Sequence, residues 1–178
     1  PATPKGYEDD IRLAKELGFN MLRKHIKIEP EWFYYYCDVH GMLVMQDMVN
    51  KMGMEDLFEI DSRATSREEI GNPPHHGTVR KMQEVGIPVI PHKATQITQQ
   101  DYEEYDYIIG MDDWNMRNLN RMLHNDPDGK MYKLLSFAGR ADDIADPWYT
   151  GNFDVTYYDV REGCTALLDH ILHGKENN

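Results

Sequence analysis

Polar and apolar positions fall into short blocks whose spacing changes repeatedly along the chain. "GYEDDIRLAKELG" opens with acids, and Tyr7, Ile11, Ala14 and Leu17 share one stripe before Gly18, which predicts an amphipathic helix with a glycine stop. "MLRKHIKI" follows as a strand, unusually cationic because of Arg23, Lys24, His25 and Lys27. Pro30 sits at a first helical position, where a missing N–H is tolerated. The next stretch, "EWFYYYCDVHGMLVMQDMVNKMG", admits two readings. "MLVM" alone reads as a short buried strand. Phe33, Cys37, Gly41, Val44, Met48 and Met52, however, recur at spacings of three or four. No turn chemistry separates "MLVM" from "QDMVNKMG", so one helix from about Glu31 to Met52 is predicted, in which Gly41 costs about 1 kcal/mol.

Downstream the alternation is regular. Strands are predicted at "LFEIDS", "PVIPHKA", "DYIIGMD" and "KMYKLLSF". Helices are predicted at "TVRKMQEVG", "TQQDYEEY", "WNMRNLNRML" and "FDVTYYDVREGCTALLDHILHG". Two loops, "RATSREEIGNPPHHG" and "AGRADDIADPWYTG", interrupt them. Strands alternating with helices call for an α/β fold with a parallel sheet covered on both faces. At 178 residues the chain is too short for an eightfold barrel, so a three-layer doubly wound sheet in one domain, residues 1–178, is expected, with an extra N-terminal helix.

A net charge of −12, with the acids dispersed along the chain, argues against nucleic acid or an anionic membrane as partner. Two cysteines are too few for a disulfide framework and fit a reduced, cytoplasmic setting. No apolar run approaches the ~20 residues of a membrane span. His75 and His76, with His25, His40 and His92, lack a metal-ligand spacing, so no metal and no cofactor are expected. The aromatic run Trp32 to Tyr36 reads as helix packing, and Cys37, inside the same helix, as core.

From about residue 44 to 173, the segments "EIDS.ATS...IGNPP", "DYIIGMDDWNMRNLN" and "DIADPWYTGNFD" stand in the order and spacing of a known family. This part resembles a low-molecular-weight protein-tyrosine phosphatase, which implies a flavodoxin-like parallel sheet and phosphotyrosine as the family substrate. Residues 6–47, "YEDDIRLAKELGFNMLRKHIKIEPEWFYYYCDVHGMLVMQDMV" and its flanks, instead resemble a fragment of the barrel of family 2 glycoside hydrolases, the β-galactosidase and β-glucuronidase group. The chain therefore looks like a chimera of residues 1–47 and 48–178, joined near "VMQDMV".

The phosphatase resemblance implies a C-x5-R loop, in which a thiolate attacks phosphorus while backbone N–H groups and an Arg hold the other oxygens. Cys37 is followed six positions on by Leu43, and Cys164 by His170, so neither begins such a loop. "IKIEPEWFYYY" stands where the loop is expected, and its Glu29 and Glu31 oppose a dianion. By the same resemblance Asp146 of "DPWYTG" is the general acid, Trp148 and Tyr149 are the aromatic wall beside a phosphotyrosine ring, and Asp112 and Asn115 brace the nucleophile loop. "DSRATS" and "GNPPHHG" match the family's phosphate-site walls. In the glycosidase part, Arg23 and His25 match positions bordering the sugar site, but the family's paired glutamates are missing. Loss of phosphatase activity is the expectation. A hydrolase with a recruited nucleophile and a non-catalytic phosphate- or aromatic-binding module stay open, as does a homo-oligomer built through the N-terminal helix.

Overall fold

The computed structural model describes residues 35–65 and 70–174, excepting the side chains of residues 35–40, 148 and 149. The expected helix at 6–18, the expected strand at 21–28 and the Trp32–Phe33 part of the long helix lie outside the described residues, as do the side chains of Cys37 and His40.

The ambiguous stretch is helical. α1 (Tyr35–Lys51) runs through Gly41 and "MLVM" without a break. Met42, Leu43, Val44 and Met45 are all buried in succession, and Val49 one turn on is fully buried. Four successive apolar residues are buried because this turn of α1 is packed all round, which is why they imitate a strand when read alone, while Asn50 and Lys51 one turn on are exposed. The stripe drawn from spacing runs too far: Met48 is half-buried, and Met52, past the end of α1, is 53% exposed. Gly41 marks a close approach to the core, since a Cβ there would stand 2.6 Å from Met111 Cε.

β1 (Ile108–Gly110) pairs in parallel with β2 (Met131–Lys133), Ile108 opposite Met131 and Gly110 opposite Lys133. These are the centres of the expected strands "DYIIGMD" and "KMYKLLSF"; the second gives way after Lys133 to a 3-10 turn, Leu134–Ala138. "LFEIDS" and "PVIPHKA" differ from expectation. Glu55–Leu57 is a 3-10 turn with Leu57 74% exposed, and the one parallel bridge nearby, Ala64 with Gln96, lies two residues beyond each segment. Ala64 N donates to Thr95 O at 2.7 Å, and Ile97 N donates to Ala64 O at 3.0 Å. An extended segment becomes a ladder strand only beside a neighbour that takes its N–H and C=O groups. Among the described residues, nothing pairs with residues 58–63 or with the outer edge of β1.

The remaining helices are α2 (His76–Glu84), α3 (Gln99–Glu104), α4 (Asp113–Met122), α5 (Pro147–Thr150) and α6 (Phe153–His173). α1, α2 and α6 enclose the larger core, built on Leu43, Val49, Met82, Leu134, Leu135 and Val160. α3 and α4 cover a smaller one on the other side, with Tyr102, Ile108, Leu119, Leu123 and Met131. Helices thus lie on both faces of a parallel sheet, the three-layer α/β arrangement expected from the alternation. Among the described residues, no helix is long and apolar enough to cross a membrane.

Candidate functional site

The carboxyl end of β1 is held by hydrogen bonds on both sides of Met111. Asp112 Oδ1 accepts from Asn115 N at 2.6 Å and so caps α4. Asn115 Oδ1 accepts from Met111 N at 2.9 Å, and Met111 O accepts from Ile144 N at 3.0 Å. Ile144, 2% exposed, is thereby fixed beside the strand end, two residues before Asp146. Lys133 Nζ fastens the preceding loop by donating to Asp143 at 2.6 Å, Ala141 O at 2.8 Å and Asp113 at 2.9 Å. Thr156 Oγ1 of α6 donates to Ala145 O at 2.7 Å. Asp146 therefore sits half-buried on a loop clamped over the carboxyl ends of the strands, the place where open α/β sheets bind ligands. Trp148 and Tyr149 lie in α5, immediately after it; their side chains are outside the described residues.

The electrostatics of this end are set by burial. Burial pushes the Asp112 carboxyl above the usual range, and the negative Asp143 adds to the rise against the N–H bonds of α4. On the neighbouring segment, Arg63 donates to Asp101 at 2.9 Å and also to Asp61. Burial works to raise Asp101, but hydrogen bonds from Thr98 and the Arg63 charge together outweigh it and hold that carboxyl below the usual range. Thr98 and Asp101 form a reciprocal capping box at the start of α3.

Among the described residues, several buried polar atoms take no hydrogen bond: Ser62 Oγ, Asn115 Nδ2 and His92 Nε2. The other nitrogen of His92 stands 3.6 Å from Asp61 Oδ1. Ser62 and Asn115 both line a cavity of about 1160 Å³ that separates residues 57–63 from β1. Such atoms in a native fold call for a partner.

Of the histidines considered as metal ligands, His25 and the side chain of His40 lie outside the described residues. His75 Nδ1 accepts from Gly77 N at 3.1 Å and caps α2, with its ring stacked 6.0 Å from Phe153. Among the described residues no three His, Cys, Asp or Glu side chains gather as a metal site. Cys164 is buried in α6 with Sγ 3.7 Å from Gly41 O, and burial pushes its thiol up to about 12.

A family model described as low molecular weight phosphotyrosine protein phosphatase matches residues 43–177. This chain belongs to that family. Among curated relatives, a low molecular weight protein-tyrosine-phosphatase, YfkJ of Bacillus subtilis, is 34% identical over 135 residues, 75% of this chain and 86% of its own. PtpA of Staphylococcus epidermidis is 33% identical over 72% of this chain and 82% of its own. The crystal structure of YfkJ superposes with a TM-score of 0.74 at 33% identity, covering 79% of this chain and 91% of that one. A low molecular weight protein tyrosine phosphatase from Streptococcus pyogenes gives 0.69 at 34% identity, covering 80% and 93%.

The phosphatase match takes in Asp112, Asn115, Asp146, Trp148 and Tyr149, whereas Arg23, His25 and Cys37 precede it. Ser62 appears in the sequence reading only as part of a phosphate-site wall, and His92 only as a metal candidate. Their burial without partners, which makes them of interest, has no sequence signal. Arg63 appears only within the same wall motif, and Asp101 was not singled out, although "TQQD" carries the spacing of a capping box and so marks it.

Proposed function

We propose that this chain is a low-molecular-weight tyrosine-phosphatase domain without the family's hydrolase activity, in which residues 1–47 stand in place of the first strand, phosphate loop and first-helix start and residues 48–178 carry the rest of the fold. One observation carries the reading. The only cysteine outside the α1 start, Cys164, is buried beneath Gly41 with its thiol raised to about 12, and its sixth successor is His170 rather than Arg. A thiol in that setting is neither ionised nor reachable by a phosphate ester. Cys37, in the first turn of α1 as described, is followed at the sixth position by Leu43, so no guanidinium follows it at the spacing needed to clamp the phosphoryl oxygens.

Asp146 on its clamped loop suits the family's general acid, with Trp148 and Tyr149 beside it as the aromatic wall. A general acid adds about 10² to 10⁴ in rate, and only where a bond is already being broken. Without a nucleophile there is no phosphoenzyme for it to assist. The likeness of residues 6–47 to a glycoside hydrolase barrel segment supports a chimeric origin for the replacement.

Hydrolysis of p-nitrophenyl phosphate, measured beside an intact family member, tests the reading. A rate no higher than about 10⁻⁴ of that enzyme is expected, by the arithmetic of a missing nucleophile. Cys37→Ser and Asp146→Asn should leave that residual rate unchanged. A family-like rate abolished by either substitution would refute the proposal and identify a recruited nucleophile or a working acid.

A further inference from the structure

α2 is capped by a group whose acceptor a proton removes. His75 Nδ1 accepts from Gly77 N at 3.1 Å, so that nitrogen is unprotonated while the cap is in place. An imidazolium has no acceptor, and a proton on Nδ1 would set one N–H against another. The positive end of α2, a helix of nine residues, also disfavours a cation at this point. The capped peptide carries a second contact. The Phe153 ring lies on Gly77, where an added Cβ would collide with its Cζ, and it stacks on the His75 ring at 5° with centroids 6.0 Å apart. Phe153 is the first residue of α6, and one turn on Thr156 Oγ1 donates to the carbonyl of Ala145, next to Asp146. His75 is half-buried, within reach of solvent protons.

We infer that His75 is a proton-operated latch between α2 and the start of α6: neutral, it closes the cap beneath Phe153; protonated, it lets go and loosens the end of the loop that bears Asp146. The charged groups around it do not oppose this. On α2 itself, the His76 ring lies 4.0 Å from that of His75 and repels it when both are charged, and Arg80 is exposed. Lys81 donates to Glu84 at 3.1 Å and to Asp154 in the first turn of α6, so that carboxylate already has its cation. α1, which also packs on α2, brings Asp47 and Lys51, paired with each other at 2.7 Å. Phe153 works the other way, since an aromatic face attracts a cation, but a centroid distance of 6.0 Å is the limit of that attraction. The folded chain therefore takes up the His75 proton less readily than the unfolded one. The latch is closed above the ordinary imidazole range of about 6.5 and opens as pH falls below it. The inference does not depend on the loss of hydrolase activity.

An NMR titration of the full chain from pH 8 to pH 5 tests this. The His75 ring and the Gly77 amide should shift along one curve, with its midpoint below that of the same ring in the urea-unfolded chain. Amides of Gly77, Val79 and Val155, with exchange corrected for its intrinsic pH dependence, should lose about fivefold in protection across that curve, as a lost cap implies. His75→Asn supplies a cap that does not titrate and should keep protection at both ends of the range, while His75→Ala should lack it at both. His76→Asn should leave the step in place. A Gly77 amide that stays still while His75 titrates would overturn the inference. So would a step that survives His75→Asn in full, or one that vanishes in His76→Asn.

Discussion

Gly163→Ala sets two opposing effects against each other at a buried turn of α6. Replacing a mid-helix glycine by alanine gains about 1 kcal/mol from helix propensity. At Gly163, however, an added Cβ would stand 2.5 Å from Leu134 Cγ and 3.2 Å from both of its methyl carbons. The atom met first is the branch point of Leu134, not the end of a flexible chain. Leu134 and Leu135 are each 1% exposed at the start of the 3-10 turn after β2, so the leucine has no open side to move toward. Overpacking of this sort costs about 1–3 kcal/mol, so the net expectation is destabilisation of about 1 kcal/mol. For a chain of this length that lowers Tm by about 2–4 °C. Thermal melts of Gly163→Ala, of Leu134→Ala and of the double substitution form the assay. With Leu134 shortened, the clash vanishes and Gly163→Ala should become neutral or stabilising, a coupling of about 1–2 kcal/mol between the sites. If Gly163→Ala raises Tm equally in both backgrounds, the packing argument is refuted and propensity alone governs the position.

The Asp112 carboxyl is raised by burial, so its ionised form is the costly one, and stability falls as pH rises from the usual carboxylate range through its folded pKa. Asp112→Asn keeps the cap without the charge and should raise Tm at pH 7 but not in acid, while Asp112→Ala loses the cap and about 1 kcal/mol at both. Asp126 is the opposite case. Burial works to raise it, but bonds from Met131 N, Lys130 N and the Tyr102 hydroxyl outweigh that and lower its pKa. Its contribution is complete above the unfolded value of about 4 and lost as pH falls through the folded one. The stability gap between the parent and Asp126→Asn, from urea titrations, should therefore be full at pH 6 and close in stronger acid. Cys164, with its thiol near 12, should resist iodoacetamide at pH 8 in the folded chain and react on unfolding, as read from its peptide mass.

How far the fold was legible depended on whether a segment's state is decided locally. α1 was legible because its spacing extends over four turns, longer than any strand the pattern could support. The end of its buried stripe was not, since Met52 lies one residue past the end of α1 and faces solvent, although its N–H still donates to Met48 O. α3 and α4 carry their caps in sequence, in "TQQD" and "DDWN". "LFEIDS" and "PVIPHKA" have strand composition, yet strand pairing is a property of neighbours, and only Ala64 and Gln96, two residues past them, find each other. The site divides in the same way. Asp146 was singled out from its motif, but the clamp that fixes its loop, Ile144 on Met111 and Lys133 on Asp143, joins residues far apart in sequence and leaves no local pattern. His75 is an instructive case, because a histidine beside another suggests a ligand pair while the structure uses it as a helix cap.

The buried methionines tie this fold to its oxidative surroundings. Met42 and Met45 on α1, Met82 on α2, Met111 at the end of β1 and Met131 in β2 are all at or below 9% exposure. Met111 lies close enough to α1 that a Cβ at Gly41 would push its terminal methyl aside. The thioether is suited to filling irregular space of this kind, being unbranched and polarisable. Conversion to sulfoxide adds a polar oxygen and a fixed chirality at the same positions. While the core stays closed these sulfurs are out of reach, but any opening that lets peroxide meet Met42 or Met111 would be recorded chemically and would impede reclosure. Oxidation would then turn a transient opening into a lasting one, and methionine sulfoxide reduction would become a condition of keeping the chain folded.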